Sequence, residues 1–117
     1  MTPALKTKTC LAILGVISVV AVLSASAARQ QLDAGRKVYD REKCATCHQI
    51  EKRGNSRYPL DGVASKLTRE QLRRWLTHPA EMEAALPRMP ALRMSTMKYR
   101  LNRQELDSLV AYLETLK

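Results

Sequence analysis

Lys43-Cys44-Ala45-Thr46-Cys47-His48 reads KCATCH, with two thiols three positions apart and an imidazole directly after the second. Four chemistries use such a pattern. A structural disulfide is the ordinary one for an exported chain, but a bond across so short a separation cross-links almost nothing. A thiol–disulfide enzyme sets its Cys-x-x-Cys beside a βαβ pattern, and none is present in this sequence. Zinc needs four nitrogen or sulfur ligands; outside Cys10 the chain offers only Cys44, Cys47, His48 and His78. His78 stands alone in a polar context before a proline, the setting of a loop residue rather than a ligand. Covalent haem needs what is here: thiols for the two vinyl groups on one porphyrin edge and an imidazole at the iron. Cys-x-x-Cys-His is the c-type attachment signature. The motif therefore reads as one haem c held by Cys44 and Cys47, with His48 as the proximal iron ligand.

The amino terminus bears on that reading. Met1 to Lys8 carries Lys6 and Lys8 and no acid, an apolar run follows over residues 9–23, and small residues (SASAA) occupy 24–28. A basic start, an apolar stretch and a small-residue end make a secretory signal, so residues 1–28 are read as a signal peptide and 29–117 as the working domain. The competing reading is an uncleaved anchor, since residues 9–28 carry no charge and could just span about 30 Å of hydrocarbon. Cys10 lacks the small and apolar residues that a lipid-modified cysteine needs before it. Either way the domain lies outside the cytoplasm, with the periplasm as the expected compartment.

Lys6 and Lys8 are the only charged residues before position 29, so the remaining 18 Lys and Arg against 11 Asp and Glu leave the domain formally at +7. Four Tyr, one Trp and no Phe give it a meagre core, and domains this small often depend on a disulfide, a metal or a cofactor.

Residues 31–42 read as a short helix. Residues 49–59 are polar and without period, hence a loop. Thr68 and Gln71 form a capping box ahead of Leu72, Trp75 and Leu76 at i, i+3, i+4. His78-Pro79 ends that helix, and another turn or two is expected over 80–86. Residues 87–99, with two prolines and three methionines, should be irregular. Asn102 and Glu105 open the last helix, whose stripe is Leu106, Leu109, Val110, Leu113 and Leu116. The expected class is all-α, three to four short helices with no convincing strand and with long loops. Such loops suit a small chain only if they wrap something other than protein.

With these features in place, residues 32–117 resemble a class I c-type cytochrome with one haem, a small electron carrier of the bacterial periplasm. The resemblance implies that the helix before CATCH crosses the last helix, with Gly35 admitting the backbone beside Tyr112 and Leu109. It implies that the Pro59 carbonyl accepts a hydrogen bond from the second nitrogen of His48, and that Trp75 donates its indole N–H to a haem propionate. It also implies a methionine thioether as sixth ligand. Met94 stands seven residues before Leu101, the separation implied for that ligand, so Met94 is preferred. Met97, four residues back, and Met89, in a Met-Pro dipeptide like one common in the family, are the alternatives.

The implied function is an electron carrier without substrate chemistry, its iron cycling between ferric and ferrous states under His/Met ligation. The expected partners are redox proteins with acidic docking surfaces, met by a monomer. No nucleic-acid motif is present, and contact with a membrane is expected only if the anchor is retained. The other readings are an electron-transfer subunit of a larger oxidoreductase, and a haem enzyme or ligand sensor with a displaceable sixth ligand.

Overall fold

The computed structural model describes the backbone from Leu5 to Lys117 and the side chains from Ala21 onward. The signal-or-anchor reading of residues 1–28 thus lies largely outside the described side chains. Among the described residues no helix is long and apolar enough to cross a membrane. The chain divides into two compact units, Met1–Gln30 and Gln31–Lys117; the second carries the cysteine motif.

Helix α1 spans Leu5–Arg41. Its end at Arg41 falls where the short helix was expected to stop, but its start lies far upstream. No Pro or Gly stands between Val16 and Ala34, so no residue there carries the roughly 1–3 kcal/mol penalty that would break a helix. The next elements were missed in the sequence. Residues expected as a plain loop form a small sheet of three strands, β1 (His48–Ile50), β2 (Arg53–Gly54) and β3 (Tyr58–Pro59), ordered β2-β1-β3. β1 pairs antiparallel with β2 and parallel with β3. Strands of two or three residues are too short to display alternation, so the pattern could not announce them.

Three helices follow: α2 (Arg69–Thr77), α3 (Pro79–Ala84) and α4 (Arg103–Leu113). Both expected capping boxes form, with Thr68 accepting from the Gln71 N–H and Asn102 from the Glu105 N–H while each partner side chain reaches back. Such caps typically contribute about 1 kcal/mol each. Pro79 ends α2 and opens α3, where its missing N–H is no loss.

The core joins Val38 and Tyr39 of α1, Ile50 of β1, Leu72 of α2, and Leu109, Val110 and Leu113 of α4. Leu106 and Leu116, at the ends of the expected stripe, are only partly buried. Tyr39 and Tyr112 meet edge to face, with ring centroids 6.2 Å apart, a favoured aromatic arrangement. Gly35 is where α1 meets α4: a Cβ there would lie 2.0 Å from the Ser108 carbonyl oxygen and 2.7 Å from Tyr112 Cβ. The close approach is as expected, although the backbone neighbour is Ser108 rather than Leu109. Ion pairs Arg69–Glu114 and Arg73–Asp107 tie α2 to α4, and Arg41 reaches Glu105 in the α4 cap.

Candidate functional site

After α1 the chain turns at Lys43, which adopts a left-handed conformation with φ 56°. Cys44–Thr46 then form a 3₁₀ turn, closed by the Cys47 N–H on the Cys44 carbonyl at 3.1 Å. In a 3₁₀ turn residues i and i+3 eclipse, so Cys44 and Cys47 project on one side. Both thiols are free and both line a single cavity of about 320 Å³. Asn55 latches the turn, its side-chain amide donating to the Thr46 carbonyl and its backbone N–H to the Ala45 and His48 carbonyls, each at 3.0 Å. Gly54 makes that approach possible: with φ +98°, a Cβ would sit 2.2 Å from the His48 oxygen.

His48 begins β1, and its side chain also lines the cavity. Its Nδ1 lies 3.0 Å from the Tyr58 carbonyl oxygen. A carbonyl can only accept, so Nδ1 carries the proton and Nε2 keeps its lone pair. Burial holds the imidazole below the ordinary histidine range, opposed by the Tyr58 bond, so at neutral pH the ring is an uncharged base. Here the expectation for Pro59 is corrected. The parallel register sets His48 beside Tyr58 and Gln49 beside Pro59, and the acceptor is the Tyr58 carbonyl, one residue earlier. Pro59 itself is exposed and does not line the cavity.

The rest of the lining is mainly apolar, with Leu60, Leu67, Leu72, Leu76, Leu109 and Leu113 among its residues. Trp75 lines it and is half-buried. Of the methionines, Met94 is half-buried and lines the cavity at the start of a further 3₁₀ turn, Met94–Thr96. Met97 lines it as well but is 45% exposed, whereas Met89 is 51% exposed and lies off the lining. His78 is exposed, its Nδ1 2.8 Å from the Thr77 hydroxyl, and does not reach the cavity.

The family model for cytochrome c matches residues 32–117. The chain belongs to that family. No curated protein and no solved structure matches it. Cytochrome c domains bind covalently attached haem c with its iron, serve haem-based electron transfer and are commonly exported.

The residues of this cytochrome fit such a group. The thiols and the imidazole share one cavity, and that cavity is walled by leucines suited to a porphyrin face. It also contains an orphan: the buried Tyr39 hydroxyl has no hydrogen-bond partner among the described residues, and Tyr39 lines the cavity. Burial raises its pKa, so it stays a donor, of the kind a haem carboxylate would satisfy. Burial likewise pushes the Cys44 thiol up to about 11, so this sulfur is kept protonated.

Three cavity residues escaped the sequence reading. Tyr39 was assigned only to a helix face. Tyr58 gives its carbonyl to His48 and accepts at its hydroxyl from the Ala91 N–H at 3.0 Å and the Leu92 N–H at 3.3 Å. Glu83 is an acid only 1% exposed. A backbone acceptor leaves no mark in sequence, and a glutamate on a short helix reads there as a solvated residue.

Proposed function

We propose that this protein is an exported monohaem electron carrier, working in the periplasm, with haem bound through thioethers at Cys44 and Cys47 and iron between His48 and Met94. One observation carries the reading: a single apolar cavity is lined by both free thiols, by a neutral imidazole and by a half-buried thioether. The group supplies a one-electron iron couple. Cys44 and Cys47 would hold the group through thioethers, each made by adding S–H across one vinyl group, so that sulfur and hydrogen would both be retained and no oxidant consumed.

His48 is oriented by its bond to Tyr58, which makes Nε2 a stronger donor to iron. Met94 supports the opposite tendency, because thioether ligation raises the potential. The leucine walls exclude water. With His48 and Met94 both holding the group, little of the chain would have to rearrange when an electron passes. The chain acts as a monomer, its first 28 residues serving as the export signal.

The deciding experiment is Met94→Ala in the haem-loaded protein. The expected outcome is loss of the ferric methionine–iron charge-transfer band and a lower midpoint potential. Survival of the band would assign the ligand elsewhere, to Met97 first. Slow carbon monoxide binding to the reduced wild type is expected; rapid binding at neutral pH would favour an enzyme or sensor. The basic surface, formally +7 from residue 29 onward, fits acidic redox partners. Bimolecular electron-exchange rates with an acidic partner should then fall steeply with ionic strength, and a flat salt profile would remove that part of the reading.

A further inference from the structure

Glu83 is the most deeply buried charged side chain among the described residues. It projects from α3 and lines the haem cavity. Its carboxylate accepts three hydrogen bonds: Oε1 from the Ser95 N–H at 3.1 Å, and Oε2 from the Ser95 hydroxyl at 2.5 Å and from Arg93 Nε at 3.3 Å. Arg93 and Ser95 are the two residues that flank Met94. The turn they enclose is short and closed on itself, with the Thr96 N–H and hydroxyl on the Arg93 carbonyl and the Met97 N–H on the Met94 carbonyl. One carboxylate therefore grips the chain immediately before and immediately after the sulfur-bearing residue.

Burying a carboxylate is costly, and a well-packed apolar side chain often serves stability as well or better. What the charge adds is direction, because charge-assisted hydrogen bonds are shorter and stronger than neutral ones and hold their donors in place. Burial alone would raise the Glu83 pKa, but the two Ser95 bonds and Arg93 outweigh it and keep the group below its ordinary value. The carboxylate is thus ionised when the turn is in place.

We propose that Glu83 is a positioning residue for the sixth iron ligand: by gripping Arg93 and Ser95 it fixes the turn that presents the Met94 thioether to the haem. The inference rests on Met94 being that ligand. In the ferric protein an added base must pull Met94 off the iron, and with Glu83 in place it must also distort a turn anchored on both sides. Loosening the anchor favours the incoming base.

The test uses haem-loaded full-length protein and imidazole as the probe. Glu83→Gln keeps the size of the side chain and removes its charge. It should tighten ferric imidazole binding about tenfold, equivalent to about 1.4 kcal/mol, and lower the midpoint potential. Ser95→Ala, which removes one of the three donors and serves if the first variant yields no haem-loaded protein, should tighten binding about threefold. Thermal unfolding is recorded alongside, since a merely structural role would lower the melting temperature without changing imidazole affinity or potential. Unchanged affinity and potential in either variant, in a protein whose Met94→Ala form has lost the charge-transfer band, overturns the role of Glu83 and leaves the ligand assignment standing. A Met94→Ala form that keeps the band removes the assignment itself, and the inference with it.

Discussion

An imidazole can bind iron only through an unprotonated ring nitrogen, and half-buried His48 is kept neutral by its surroundings while one carbonyl selects its tautomer. Glu83 shows the opposite solution, a buried group held charged by its donors. Its effect on stability has a definite sign. The folded state holds Glu83 below its ordinary value of 4.5, so over that interval the unfolded chain binds more protons than the native one. The stabilisation is fully present above the ordinary carboxylate value and is lost as pH falls through the lowered native value. Denaturant unfolding of wild type and Glu83→Gln should show a stability gap at about pH 6 that narrows by about pH 3; a gap that does not change with pH would contradict an ionised carboxylate. Neither His48's acceptor nor Glu83's role was legible in the sequence. The first depends on a strand register between backbones, and the second on partners 10 and 12 residues away. The thiols and the imidazole were legible because adjacency alone sets their geometry.

At the scale of elements, the contact between α1 and α4 is set by the missing side chain of Gly35. On an isolated helix Gly35→Ala would stabilise by roughly 1 kcal/mol. Here the new Cβ would fall 2.0 Å from a main-chain oxygen that cannot swing aside, and overpacking of this kind costs typically 1–3 kcal/mol or more. Because the obstacle is main chain, the cost falls toward the upper end of that range, and the variant should be less stable by about 2 kcal/mol in denaturant unfolding of the haem-loaded protein. A gain in stability would mean that the helices do not approach so closely. The helix ends were legible wherever the signal is local: Thr68 with Gln71, Asn102 with Glu105, and His78 before Pro79. The strands around Arg53 and Tyr58 were not, because they exist to carry the turn latched by Asn55 and have no hydrophobic face of their own. The upstream reach of α1 was missed because a boundary drawn from an export pattern is not a boundary in backbone propensity.

At the scale of the molecule, the interior formed by the described residues is divided between seven buried apolar side chains and a cavity of about 320 Å³. The cavity is lined almost wholly by apolar side chains and is partly open to water, so without haem that apolar surface would be left wet instead of buried, a loss that so small a domain is poorly placed to absorb. Protein made without haem should show no cooperative calorimetric transition, whereas the loaded form should melt in one step. A cooperative melt of the haem-free chain would mean that the protein core suffices by itself. The size of the chain, its few aromatics and its long loops already point to such a dependence in the sequence. What composition does not convey is how the two sides of the cavity are joined. Tyr58 gives its carbonyl to the imidazole and its hydroxyl to the main chain at Ala91 and Leu92, ahead of the methionine turn. A single tyrosine thus acts as a tether between the segment that carries His48 and the segment that leads into the Met94 turn. A tug on the methionine segment is transmitted to the histidine side of the cavity, so neither wall shifts without loading the other.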